Sequence, residues 1–316
     1  MTAGTTLSTT PSMTPSPTPR AANSVALTAP ICLWQARATL GEGVLWLAEE
    51  HCVWFVDIKG RRIHRCAADG SEQRSWDTAQ QVGFIVPVAG GGFACGLEDG
   101  LYRFDAASGS FSPLCQLEAE LPGNRFNDGH VDAAGRLWFG SMDDSEAGAT
   151  GALYRFDGAS TQQVDSGYVI TNGPAISPDG RTLYHTDTLN KQIYAFDLAA
   201  DGSIAGKRLF VTLDGAGYPD GMAVDCEGHL WVASFGGWRI DRFAPDGRLV
   251  GEVRFPCANV TKLAFGGDDL RSVYVTSARK GLSPVQLAEQ PLAGALFMFR
   301  VQTPGLAHHA LQLKEM

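Results

Sequence analysis

The sequence predicts an all-β fold, a six-bladed β-propeller of four-stranded antiparallel blades, and three observations carry that prediction. A strand-forming phrase, usually ending in a small or acidic residue, recurs as Val53-Trp-Phe-Val-Asp57, Phe93-Ala-Cys-Gly-Leu97, Leu137-Trp-Phe-Gly-Ser141, Leu183-Tyr-His-Thr-Asp187, Leu230-Trp-Val-Ala-Ser234 and Val273-Tyr-Val-Thr-Ser277. The first residues of these phrases stand 40 to 47 positions apart, a period that suits one blade. A second phrase keeps the same beat, as Ile63-His-Arg-Cys66, Leu101-Tyr-Arg-Phe104, Leu153-Tyr-Arg-Phe156, Ile193-Tyr-Ala-Phe196, Ile240-Asp-Arg-Phe243 and Leu296-Phe-Met-Phe299, and reads as the next strand. Asp and Gly fall where hairpins must turn, in Ala68-Asp-Gly70, Pro178-Asp-Gly180 and Pro245-Asp-Gly247, because both tolerate positive φ.

Taken from the N-terminus, residues 1–30 are rich in Thr, Ser, Pro and Ala, with Arg20 their only charge. Such a composition buries too little surface to fold and reads as a disordered extension. Residues 31–316 read as a single propeller. The run Cys32-Leu-Trp-Gln-Ala36 is suited to supply the outermost strand of the last blade and so close the ring, which removes exposed sheet edges. Only Leu282 to Glu289 has the pattern of a turn or two of helix.

The 316 residues are 44% hydrophobic and 19% charged, enough for a large core, and six blades of about 45 residues account for most of them. A formal net charge of −9 without a Lys/Arg cluster excludes a nucleic-acid surface. No apolar stretch is long enough to span a bilayer, and the N-terminus lacks the basic start and apolar run of a secretory signal. Seven cysteines without a Cys-x-x-Cys pair favour a reduced compartment, hence a cytoplasmic protein with its thiols as core filler.

In a propeller, residues that share a phase of the repeat converge at one height around the axis. Counting back ten or eleven positions from the six phrases reaches Glu42, Val82 or Gly83, Asn127, Asn172, Asp220 and Lys262, set just ahead of the inner strand. Asn and Asp are common turn formers, so any one of these is as readily structural. Together, five of six repeats carry a polar side chain there, and glycines flank four of them in Gly41-Glu-Gly43, Asn127-Asp-Gly129, Asn172-Gly173 and Asp220-Gly221. Glu42 and Asp220 would then be like charges held close in a low-dielectric channel, and a bound dication resolves the conflict. Carboxylate and amide oxygens are hard donors suited to Ca²⁺, Mg²⁺, Mn²⁺ or Fe²⁺ and tolerable for Zn²⁺. No His-Glu-x-x-His spacing occurs among the seven histidines; His185, on an inner sheet, is the best placed of them. Asp187 has Asp57 as its counterpart in the first repeat and reads as structural.

These residues resemble the family of regucalcin (senescence marker protein), gluconolactonases and sugar lactonases, from about Ala38 to Val301. The resemblance rests on Gly41-Glu-Gly43, Asn124-Arg-Phe-Asn-Asp-Gly129, Thr171-Asn-Gly173, Tyr218-Pro-Asp-Gly-Met222 and Phe265-Gly-Gly267 with Tyr274-Val-Thr-Ser-Ala-Arg279. Within the family the chain is most similar to bacterial pentonolactonases, above all xylonolactonase, through Val56-Asp-Ile-Lys59, Tyr184-His-Thr-Asp-Thr188, Asn259-Val-Thr-Lys262 and Arg279-Lys-Gly-Leu-Ser283. The resemblance implies one divalent metal on the axis, with ligands at Glu42, Asn172 and Asp220, and substrate contacts from Arg125 and Asn127. The family's substrate-binding glutamate aligns with Ser145, so Asp144 or Glu146 takes its place or the contact is absent. Lys262 is expected at the mouth as a further substrate contact.

The expected activity is metal-dependent hydrolysis of an aldonolactone to the aldonic acid, with Asp220 also taking the proton of the attacking water. The implied partner is a small-molecule sugar lactone, with no nucleic acid and no membrane, and the protein is expected to be a monomer. Two other readings stand beside it: a metal-dependent esterase or phosphotriesterase on the same scaffold, and a non-catalytic metal-binding propeller.

Overall fold

Alternating apolar side chains and tight turns fold each repeat into an antiparallel meander, and the computed structural model, which describes residues 24–314, sets six such four-stranded sheets in a ring. The chain enters on β1 (Ile31–Trp34) and then builds the first blade from β2 (Gly41–Leu47), β3 (Cys52–Asp57), β4 (Arg62–Ala67) and β5 (Arg74–Asp77). The second is β6 (Phe84–Pro87), β7 (Phe93–Gly96), β8 (Gly100–Asp105) and β9 (Ser110–Gln116). The third is β10 (Asn124–Val131), β11 (Leu137–Asp143), β12 (Gly151–Phe156) and β13 (Thr161–Tyr168). The fourth is β14 (Thr171–Ile176), β15 (Thr182–Asp187), β16 (Gln192–Leu198) and β17 (Ile204–Thr212). The fifth is β18 (Tyr218–Val224), β19 (Leu230–Phe235), β20 (Arg239–Phe243) and β21 (Leu249–Arg254). The last runs β22 (Val260–Gly266), β23 (Ser272–Ser277) and β24 (Leu296–Arg300), and β1 completes it by pairing antiparallel with β24. A short helix α1 (Pro284–Glu289), opened by a Ser283/Gln286 capping box, lies between β23 and β24.

The recurrent phrase, expected to be the inner strand, instead forms the second strand of each blade, and the innermost strands are β2, β6, β10, β14, β18 and β22. Glu42, Asn127, Asn172, Asp220 and Lys262 therefore lie within the innermost strands, not ahead of them. Their surroundings disguise this, since Gly41-Glu-Gly43 or Pro219-Asp-Gly221 has little β-propensity. Pairing with the second strand slips between Glu42 and Leu45, Phe126 and Gly129, Asn172 and Ala175, Pro219 and Met222, and Val260 and Lys262. These bulges re-aim side chains that a regular pleat would alternate. Gly43 and Gly173, at φ of 55° and 73°, take the left-handed backbone that two of the bulges require. β6 pairs β7 without a slip, and its blade is the one that brings no polar residue to this phase.

The core lies in six apolar clusters, one for each seam between neighbouring blades. Trp54 and Phe93 meet between the first and second blades, and Phe126 and Phe139 pack with Phe84 between the second and third. At the closing seam Trp46 stacks on Tyr274, ring centroids 5.5 Å apart and planes within 7°. Residues 1–23 of the expected extension lie outside the described residues. Ahead of Ile31, Ala26 pairs with Val301 and the Leu27 N–H donates to the Arg300 carbonyl at 2.7 Å. Beyond β24 the chain crosses the far end of the ring: Gly305 pairs with Asp225, Leu311 with Val88, and the Gln312 N–H donates to the Gly135 carbonyl at 3.0 Å.

Two outcomes are expected. A chain begun at Gln35 loses β1 and exposes the edge of β24, and its melting temperature should fall by about 5 °C or more relative to a chain begun at Ser24. His185 is fully buried without a hydrogen-bond partner, and burial pushes its pKa down to about 3. Below the unfolded value near 6.5 the unfolded chain takes up a proton that the native chain refuses, so stability falls with pH. Between pH 7 and pH 5 the urea-unfolding free energy should drop about 2 kcal/mol less in His185→Phe than in the parent; equal drops would show that His185 ionises in the fold.

Candidate active site

Glu42 on β2, Arg125 and Asn127 on β10, Asn172 on β14 and Asp220 on β18 line one cup of about 340 Å³ at the end of the ring where these strands begin. All five side chains are nearly inaccessible to solvent. The Glu42 and Asp220 carboxylates are neighbours close enough to act on each other's ionisation. Burial pushes the pKa of Glu42 well above the usual carboxylate range, and repulsion from Asp220 and Asp128 adds to this. Asp220 is raised likewise, by burial first and then by Asp128.

A hydrogen-bonded chain fixes the amide. Arg125 Nη1 donates to Asn127 Oδ1 at 2.6 Å, and Asn127 Nδ2 donates to Asn172 Oδ1 at 2.8 Å and to the Thr171 carbonyl at 2.6 Å. Asn172 Nδ2 donates in turn to Thr188 Oγ1 at 2.9 Å, whose hydroxyl donates to the Pro219 carbonyl at 3.0 Å. The chain thus ties the third, fourth and fifth blades together and fixes which atom of Asn172 is its oxygen. Behind it, Asp144 accepts from Arg125 Nε at 2.7 Å, Lys59 Nζ at 2.5 Å and Gln81 Nε2 at 3.1 Å. Burial opposes ionisation of Asp144, but these donors outweigh it and hold the carboxyl at about 2.

The residues near Ser145 divide their work. Ser145 turns away, its hydroxyl bonded to Asp143; Asp144 backs Arg125; and Glu146 lines the cup, ion-paired across its rim with Lys280. Lys262 does not reach the cup. Its ammonium donates to both oxygens of Asp128, at 2.7 and 2.6 Å, and lines a separate axial cavity of about 60 Å³ with His130, Met222 and His308 of the C-terminal crossing. Asp187 accepts from Asn190 in the turn after β15, as Asp57 accepts from Thr39, Leu40 and Gly60.

Phase counting misses Arg125, Asp144 and Glu146, which the family resemblance supplies, and Asp128, Thr188 and Lys280, to which neither reading gives a role. Asp128 follows Asn127 directly, and in a regular strand the two would point oppositely; the bulge between Phe126 and Gly129 removes that alternation. Glu146 and Lys280 stand on loops, where the repeat has no phase. Among the described residues no three carboxylate, imidazole or thiolate side chains gather as ligands; the cup brings two carboxylates and an oriented amide. This set fits a hard divalent cation, because two buried carboxylates in contact lack a cation of their own while the nearest ammonium is committed to Asp128.

A ring of blades with acidic, amide and guanidinium groups converging at one end of its axis defines an axial-site propeller. The chain belongs to the family described as SMP-30/gluconolactonase/LRE-like region, whose model matches residues 40–279. It is 35% identical to 6-deoxy-6-sulfogluconolactonase of Pseudomonas putida over 279 residues, 87% of this chain and 96% of the relative. It is 36% identical to L-arabinolactonase of Azospirillum brasilense over 277 residues, 86% and 91% of the two chains. The solved structure of a calcium-binding regucalcin from Agrobacterium tumefaciens matches with a TM-score of 0.86 at 28% identity, over 89% of this chain and 97% of that one.

Breaking a buried ion pair strands the remaining charge, so Lys262→Met is expected to cost about 3 kcal/mol or more in urea unfolding, with Lys262→Met/Asp128→Asn recovering part of it. A loss under about 1 kcal/mol for the single variant would mean that the pair is not a structural tie.

Proposed function

We propose that this chain is a lactonase that hydrolyses an aldonolactone to the open aldonic acid. The observation that carries the reading is the convergence of Glu42, Asn172 and Asp220 beside Arg125 and Asn127 in one cup. The names of the relatives support it, as enzymes of sulfogluconolactone and arabinolactone. Charge pairing supports a dication in the cup: Lys262 is committed to Asp128, Lys280 to Glu146 and Arg125 to Asp144, which leaves the Glu42 and Asp220 carboxylates without an ion-pair partner among the described residues. Glu42, Asn172 and Asp220 would hold that ion, which on this donor set is Ca²⁺, Mg²⁺, Mn²⁺, Fe²⁺ or Zn²⁺. When bound, it supplies Lewis-acid polarisation of the ring carbonyl.

The chain's own residues do the rest. Arg125, anchored through Nε on Asp144 and through Nη1 on Asn127, keeps Nη2 for a sugar hydroxyl or the developing negative charge. Asp220 takes a proton from the attacking water at a carboxylate oxygen and returns it to the ring oxygen as the acyl C–O bond breaks, which balances the reaction as lactone plus water to hydroxy acid. The Glu146–Lys280 pair across the rim narrows the entrance and favours a small ligand. Xylonolactone is among the pentonolactones that belong in a first panel. One chain builds the whole cup, which suits a monomer, and seven unpaired thiols suit a reduced, cytoplasmic setting.

Asp220→Asn and Glu42→Gln are each expected to lower kcat/KM for pentono- and hexonolactones by about a hundredfold or more, and chelation should abolish turnover that divalent ions restore. Parent-like rates in both variants and after chelation would exclude the reading.

A further inference from the structure

Above its acidic floor the cup has two unlike walls. One carries hydrogen-bonding groups: Arg125 and Asn127 of the third blade, with Glu146 and Lys280 at the rim. The other, on the fourth and fifth blades, is formed by Ile170, Leu189, Tyr218 and Phe235, with the Tyr218 hydroxyl and Thr188 as its polar groups; Leu40, beside Phe235, continues it toward the first blade, and Met142 adds one apolar side chain to the polar wall. Leu189 and Tyr218 are 41% and 40% exposed, and neither belongs to an apolar cluster between blades. Lys191 lies over the Tyr218 ring, 4.8 Å from its centroid, which holds the ring at the wall. Isolated exposed apolar side chains need no explanation, but several facing one polar cup form a surface for a ligand.

An aldonolactone whose carbonyl meets the floor and whose ring hydroxyls meet Arg125 and Asn127 is left with its exocyclic arm toward the apolar wall. A terminal hydroxyl set against Leu189 and Phe235 gains no hydrogen bond from them, whereas a methyl group there is covered by carbon. Resting on the lactonase reading, we infer that the preferred substrates are terminally deoxygenated aldonolactones, whose arm ends in methyl and not in hydroxymethyl, and that Leu189, Tyr218 and Phe235 set this specificity. The hydrolysis is the one already described, and only the group on the arm is new.

Matched pairs of equal configuration test this on the full chain with divalent metal: fucono- against galactono-1,4-lactone and rhamnono- against mannono-1,4-lactone. The methyl member of at least one pair should have a kcat/KM roughly ten- to a hundredfold higher, chiefly through KM. Leu189→Gln, at an exposed position, should keep the melting temperature and bring that ratio to within about threefold of unity. If the hydroxymethyl members are turned over as well or better in both pairs, this inference falls while the lactonase reading stands. If no lactone is turned over, the lactonase reading falls, and calorimetric binding of the paired aldonic acids decides the inference. Tighter binding of the deoxy acid, weakened by Leu189→Gln, supports an apolar arm site, and equal affinities overturn it.

Discussion

The active end of the molecule depends on the contact between Glu42 and Asp220, two acids placed side by side where water scarcely reaches. Two like charges in such a place are unfavourable on their own, and much of the nearby polar structure compensates for them. Lys262 neutralises Asp128, so that the third acid does not add a full charge to the pair. The amide of Asn172 is turned by two hydrogen bonds to present its oxygen on a fixed side. Arg125 is itself anchored by a carboxylate, so its own charge is already partly neutralised.

The propeller makes this arrangement tolerable. Each polar side chain stands on an innermost strand, and the apolar seams between blades position those strands without relying on the polar groups. The bulges then act as local adjustments, turning one or two side chains toward the axis while the outer strands of the same sheet keep a packed, alternating pattern. Blade two shows the contrast: its innermost strand is regular and apolar, and Phe84 there packs against the third blade.

Much of this is legible in the sequence, for physical reasons. The second and third strands of each blade are apolar and recur on a fixed beat, so blade number, order and closure by β1 can be read directly. The innermost strands read as turns, because glycine, proline and acidic residues near the axis look like loop chemistry. Common phase brings out Glu42, Asn127, Asn172 and Asp220, which the structure gathers. It also brings out Lys262, whose Cα shares the phase but whose ammonium is drawn along the axis to Asp128, a distance that a flexible four-carbon stem easily covers. Asp128 itself is hidden by the assumption of strict alternation, and Lys280, the partner of Glu146, by standing on a loop where the repeat has no phase.

The C-terminal crossing from Gly305 to Gln312 gives the molecule a polarity that its near-symmetric ring lacks. Leu306 and His308 of this crossing line the small axial cavity that Lys262 and His130 share, so the chain's own tail covers the end of the axis opposite the cup. The two ends of the axis are thus chemically unlike, one open onto carboxylate, amide and guanidinium groups and the other roofed by backbone and imidazole.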